Sequence, residues 1–202
     1  MKIRKFVAVL FALGAFSAFA ADMAPDELVK NTANEVLSIL KKDKEIQAGD
    51  TQKVMALVEA KVLPHFDFTH MTRLAVGRGW SKASDAQKEQ LITEFRTLLV
   101  RTYSTALTQY KNQTIEYKPS QVAADEKEVT VKSVINQPGG QPISIDYRMA
   151  KTGDGWKAFD IAVEGVSLVT NYRGSFNSIV EQSGIDGLIK SLAEKNKSNA
   201  AK

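Results

Sequence analysis

The spacing of apolar residues changes twice along this chain, near residues 113 and 165. Before the first change apolar side chains recur every three or four residues. Between the two changes they alternate, and after the second they return to helical spacing. A chain ordered as helices, strands and helices folds as α+β, with the helices segregated from an antiparallel sheet. The expected boundaries are a helical part over about 25–112, a sheet over about 113–165 and C-terminal helices over about 170–195.

The helical part carries readable signals. Leu28, Thr32, Val36 and Ile39-Leu40 share one face of a first helix that begins at Pro25. Val54, Leu57-Val58 and Val62 mark a second, stopped by Pro64, and Phe68, Met71 and Leu74-Ala75 a short third, ended by Gly77 and Gly79. The fourth opens on Ser84 and Gln87 in capping-box spacing. Its stripe runs through Leu91, Phe95, Leu98-Leu99, Tyr103, Leu107 and Tyr110, about 26 residues or roughly 39 Å of helix. A helix that long needs a broad partner, and the alternating region supplies one. Ile115, Tyr117, Val129, Val131, Ile143, Ile145, Tyr147, Met149, Phe159, Ile161 and Val163 fall on one face. Thr130, Lys132, Ser144, Asp146, Arg148 and Asp160 fall on the other. One apolar and one wet face define an antiparallel sheet. "QPGGQP" at 137–142 and "KTGDGW" at 151–156 are its turns, and about four strands result.

The first twenty residues belong to a different argument. Lys2, Arg4 and Lys5 precede an apolar run from Phe6 to Phe16, and Ala18-Phe19-Ala20 follows. That is a secretory signal peptide over residues 1–20, too short and wrongly flanked for a membrane span. The mature domain then covers 21–195, with a disordered tail at 196–202. Cleavage removes three of the 27 bases and none of the 23 acids, so the mature chain carries only about +1. A nucleic-acid partner loses its electrostatic support. The chain has no Cys, which excludes a disulfide scaffold and a lipidated cysteine and fits export to a bacterial periplasm.

Catalytic constellations are missing. His65, Asp67 and His70 lie within six positions, but their spacing is not that of a helical zinc pair and no third ligand is near. Ser167 in "GVSLV" lacks the nucleophile-elbow pattern. Gly77, Gly79 and Gly174 make no phosphate-binding loop. No catalytic residue, metal or cofactor is expected. The chain instead has apolar surface to spare: Phe66, Phe68, Met71, Trp80, Phe95 and Tyr103 can all meet the apolar sheet face. If the sheet curves away from the long helix, the space between them is a cavity; if not, the same residues are ordinary core.

One stretch bears on that choice. "WKAFDIAVEGVSLVTNYRGSF" at 156–176 resembles the signature of the MlaC or toluene-tolerance family of periplasmic phospholipid-binding proteins. "VLPHFDFTHMTRLAVGRGWSKASDAQKEQLITEFRTLLVRTYSTAL" at 62–107 resembles the family's central helices, and "YRMAKTGDGWKAFDIAVEGVSLV" its two long strands and their exit. The likeness covers roughly 30–195 and is weakest in the first helix. It implies a cystatin-like or NTF2-like α+β fold with added helices and a phospholipid held between sheet and helices as cargo. It also implies transfer between an outer-membrane lipoprotein–porin complex and an inner-membrane ABC transporter that carries an MCE-domain protein, with no hydrolysis, keeping the outer membrane's lipids asymmetric. Alternation between two docking sites suits a monomer. The side-chain pattern, separately from the likeness, nominates the cavity wall: Ile145, Tyr147, Phe159, Ile161 and Val163 from the sheet, and Leu99 and Tyr103 from the long helix. Val166, Leu168 and Val169 are expected to line or gate its mouth, and Arg78 or Arg173 to meet the lipid phosphate. Two other uses of such a groove are a periplasmic peptide-binding or chaperone module and an NTF2-like enzyme with a polar residue in the cavity.

Overall fold

The computed structural model describes residues 23–200 apart from 110, 111, 120–122 and 124. The expected signal peptide and its cleavage site lie outside the described residues. Helix α1 spans Pro25–Lys42, with Pro25 in its first turn and Asp26 and Glu27 beside it, where acids complement the helix dipole. A four-residue α2, Lys44–Gln47, follows because Asp43 Oδ1 accepts from the amides of Glu45 and Ile46. Asp50 caps α3, Thr51–Lys61, in the same way. Asp67 caps α4, Phe68–Val76, through the His70 amide at 2.8 Å.

Helix α5 spans Asp85–Tyr103. Its capping box is present: the Ser84 amide donates to Gln87 Oε1 at 2.9 Å and the Gln87 amide to Ser84 Oγ at 3.3 Å. The apolar stripe continues past Tyr103, but the backbone tightens into a 3-10 helix over Ser104–Gln109. Thr102, Ser104 and Thr108 bring β-branched and hydroxyl side chains that disfavour the α-helix.

The sheet is a meander of five antiparallel strands in chain order: β1 Thr114–Lys118, β2 Glu128–Asn136, β3 Ile143–Thr152, β4 Gly155–Val163 and the two-residue β5 Val166–Ser167. The β4–β5 turn is Glu164-Gly165, with φ of +50° and +77°, as a type I′ hairpin demands. The Ser144 amide donates to the Glu164 carboxylate and the Glu164 amide to the Ser144 carbonyl, which tie this turn to β3.

Register decides which side chains share a face. Arg148 pairs with Asp160, but Met149 pairs with Ala158. Phe159 is therefore the extra residue of a β-bulge. Strict alternation would place Phe159 beside Ile161 and Val163; the bulge turns it away, to the side of Arg148 and Asp160.

The last helix, α6, spans Leu168–Ala200 and is broken at Gly184, where φ is +69° and ψ −172°. Its end corrects the expectation of a disordered tail from 196. Asn196 is buried; its side-chain amide donates to the Glu94 carbonyl at 2.9 Å and carboxylate at 2.7 Å, and Arg101 donates to its carbonyl. These bonds hold the final turns against α5.

Helices α4, α5 and α6 form the main packed core. Phe95 sits at its centre with Tyr172 and Phe176 edge-on, each at 5.2 Å between ring centroids. A second cluster joins α1 to α3, and a third joins Val29 of α1 to the sheet through Val131, Met149 and Ala158. No described helix is long and apolar enough to cross a membrane.

Candidate functional site

The sheet, α1 and the end of α5 stand apart over part of their facing surfaces. They enclose a cavity of about 620 Å³ that opens to the surface. Its floor is the apolar sheet face: Ile115, Ile135, Ile143, Ile145, Tyr147, Met149, Ala158, Ile161 and Val163. The register places Ile115 opposite Ile135, Ile135 opposite Ile143, Ile145 opposite Val163 and Tyr147 opposite Ile161, so these side chains form one continuous surface. The opposing wall has three parts. Leu28, Val29, Val36, Leu37 and Leu40 come from α1; Val58, Val62, Leu63 and Phe66 come from α3 and the turn after it. Phe68, Met71, Leu99, Val100, Tyr103 and Leu107 come from α4, α5 and the 3-10 helix beyond.

Of the side chains nominated from sequence, Leu99, Tyr103, Ile145, Tyr147, Ile161, Val163 and Leu168 all line this cavity. Three others do not. Phe159 is buried in the helical core instead. His70 stacks on it at 4.3 Å between ring centroids, and the Arg148 guanidinium lies 4.8 Å from it. The bulge is the cause. Val169 is also in that core: the buried Asp160 carboxylate accepts from its amide at 3.1 Å and from the Ser167 hydroxyl at 2.6 Å. This cap on α6 draws Val169 inward and leaves only its neighbour Leu168 to face the cavity. Val166, paired opposite Val163 at the sheet edge, stands 58% exposed outside the wall. Neither arginine lines the cavity. Arg78 is exposed in the 3-10 turn after α4, and Arg173 lies along Gly77.

Sequence reasoning missed the largest contribution from any one helix, the α1 face. The signal was present in the spacing of Leu28, Val36 and Leu40, but an amphipathic stripe is the same whether a helix packs on a sheet or stands off from it. Ile115, Ile135 and Ile143 share the alternation of the nominated residues and were recoverable from it.

The cavity lining is mostly apolar. Among the described residues no Asp or Glu lines it; the polar ones that do are Thr32, His65, Ser104, Gln113, Gln137 and the two tyrosines. Burial, with Lys157 nearby, holds the His65 pKa below the usual imidazole value, so the ring is neutral at pH 7. Burial pushes the Tyr147 phenol up, partly offset by the Ser133 hydroxyl. The His65, Asp67 and His70 run is not a metal centre: His65 faces the cavity, Asp67 caps α4 and His70 stacks on Phe159. Among the described residues no group of three His, Cys, Asp or Glu side chains could hold a metal ion.

Comparison with known proteins agrees with this architecture. The family described as MlaC protein matches residues 30–194. The chain belongs to the MlaC family. One relative is the intermembrane phospholipid transport system binding protein MlaC of Haemophilus influenzae, 24% identical over 202 residues, covering 96% of this chain and 94% of that protein. The toluene tolerance protein ttg2D of Pseudomonas putida is 25% identical over 180 residues, covering 88% and 83%. Among solved structures, a phospholipid-binding protein of Ralstonia solanacearum in complex with a phospholipid superposes with a TM-score of 0.82. It is 38% identical and covers 88% of this chain and 99% of that one. The fold of this MlaC-family chain, and the meander that floors its cavity, are thus shared with a structure determined with its lipid bound.

Proposed function

We propose that this protein is a periplasmic carrier that binds a phospholipid by its acyl chains in the cavity and moves it between the membranes of the cell envelope. The observation that carries the reading is an open cavity of about 620 Å³ with an almost wholly apolar wall. That volume falls in the range of about 300–1,000 Å³ usual for ligand sites. Water filling it would find few partners, whereas an acyl chain would find contact on every side. The energetic need is plain. A tail of roughly fifteen methylenes costs on the order of 12 kcal/mol to expose to water, at about 0.8 kcal/mol each. A soluble carrier has to replace most of that contact with its own side chains. Leu99, Tyr103, Ile145, Tyr147, Ile161, Val163 and Leu168 are the proposed tail contacts, with the α1 face opposite them. The family's pathway supports the rest of the reading: export by the signal at 1–20, and docking as a monomer to an outer-membrane lipoprotein–porin complex. The second docking partner is the MCE-domain protein of an inner-membrane ABC transporter, and the result is an outer membrane kept asymmetric in its lipids. The carrier hydrolyses nothing and needs no cofactor; phospholipid is cargo.

Native mass spectrometry of the mature protein purified without detergent, followed by solvent extraction, tests this. An intact phospholipid of matching mass is expected. A bare protein that takes no labelled phospholipid from vesicles would overturn the reading.

A further inference from the structure

The sheet that floors the cavity is graded along its length. At one end Val131, Met149 and Ala158 are 0%, 1% and 4% exposed. At the other end Ile115, Ile135 and Ile143 are half-buried, and the turn beyond them, 138–142, is exposed. The cavity is therefore shut at the Met149 end and most open beside that turn. From Val131 to Gln137 is six residues of extended chain, about 20 Å at roughly 3.3 Å each. One leaflet of a bilayer holds about 15 Å of hydrocarbon, half of a core of about 30 Å. A tail seated at the shut end thus brings its polar linkage to the open end.

Two glutamines stand there. The antiparallel register pairs Thr114 with Asn136 and Ile135 with Ile143. Carried past the strand ends, it sets Gln113 opposite Gln137, and Gln137 opposite Gln141. Gln137 Nε2 indeed donates to the Gln141 carbonyl, at 2.8 Å. Gln113 and Gln137 are each two positions from a floor isoleucine, Ile115 and Ile135, and both line the cavity. The isoleucine surface thus ends in two amides, side by side where β1 begins and β2 ends.

The kind of polarity narrows what they meet. Among the described residues no Lys, Arg, Asp or Glu lines the cavity. A phosphate is best matched by charged donors, and none of these lines the wall. A primary amide carries two N–H donors and a carbonyl acceptor. The bond to Gln141 uses one donor of Gln137 and fixes the group in place. Donors without charge suit acceptors without charge. In a phospholipid those are the ester carbonyls, which lie where the tails join the glycerol.

We infer that Gln113 and Gln137 form an amide rim that hydrogen-bonds the ester carbonyls of the bound lipid, so that the cavity selects ester-linked over ether-linked phospholipids. This rests on the carrier reading above and names the linkage chemistry of that same cavity's cargo.

The test is a competition. Mature protein is stripped of lipid and exposed to vesicles holding equal amounts of two phosphatidylethanolamines, the dioleoyl ester and the dioleyl ether. The ratio taken up is read by native mass spectrometry. Wild type should favour the ester lipid by roughly two- to tenfold, the worth of one neutral hydrogen bond. Gln113→Leu and Gln137→Leu, each close in volume to the residue replaced, should each lower the ratio. The double variant should bring it near one. Both positions are only half-buried, and the ratio does not depend on how much lipid a variant holds. Equal uptake by wild type, a preference for the ether, or an ester preference that survives in the double variant would overturn the rim and leave the carrier reading intact. Uptake of neither lipid would overturn both.

Discussion

The α4–α5–α6 core and the cavity wall are made of the same residue types at the same spacings, and α5 serves both. Leu91, Phe95 and Leu98 of α5 are fully buried against Phe176, Leu188 and Leu192. One turn further on, Val100 and Tyr103 of the same helix face about 620 Å³ of open space, and Tyr103 is 40% exposed. The difference is not hydrophobicity but whether the opposing surface arrives. In the core α6 closes on α5, helped by the break at Gly184 and by the bonds from Asn196 to Glu94 and from Arg101 to Asn196. Over the cavity the sheet has no such closure, and α1 spans the gap instead. A protein interior packed to crystal-like density has no room for a ligand, so a carrier needs one apolar region that packs and one that does not.

That contrast can be broken most sharply within one strand. Phe159 and Ile161 are two positions apart in β4, yet the bulge assigns one to each region. Phe159→Ala should destabilise the fold by about 3–5 kcal/mol, the usual range for a buried Phe, read as a fall in denaturation midpoint. A mild effect there would mean that Phe159 is not core. Ile161→Glu should do the opposite. A carboxylate against acyl chains is strongly disfavoured, so lipid retained on purification should fall by more than about tenfold. The stability of the stripped protein should shift by less than about 1 kcal/mol, because Ile161 is only half-buried and faces the cavity. Retained lipid, or an unfolded variant, would erase the distinction.

A smaller effect separates the regions from the helical side. At Gly184 the backbone conformation is one that only glycine adopts without strain, and an added Cβ would meet nothing within 4 Å. Gly184→Ala should therefore cost about 1–3 kcal/mol through the backbone alone, with lipid content unaltered in the folded fraction. The smallest effect is that of acid. Burial holds the His65 and His70 pKa values below the usual 6.5. The unfolded chain then binds more protons than the native one as pH drops past 6.5, so stability present above that pH declines below it. Melting should shift slightly downward between pH 7.5 and 5.5, and His65→Gln, on the cavity side, should remove part of the slope. An unchanged slope in that variant would assign the effect to His70 and the packed side.

Much of this was legible beforehand, and for local reasons. Ser84 and Gln87 announced the start of α5 because a capping box is a bond between near neighbours. The alternation from Ile143 to Met149 announced a strand with one apolar face. What escaped was non-local. Helix α2 is four residues set by one Asp43 cap. β5 is two residues that exist only because Glu164-Gly165 folds back and ties to Ser144. Helical residues up to 200 depend on contacts with α5, about a hundred positions away. Seven of the ten nominated wall residues line the cavity. The three that do not were displaced by the bulge, by the Asp160 cap and by position at the sheet edge.

By itself the sequence determined the order of elements, the helical and alternating faces, and the class of a sheet covered by helices, because periodicity and capping act over a few residues. Only the tertiary structure decided where the register slips at Phe159, which face of α1 looks into empty space, and where two apolar surfaces stand apart. Those depend on the separation of elements distant in the chain, and apolar residues are attracted to any surface that excludes water. The pattern that buries a side chain against protein is therefore the same one that buries it against a lipid.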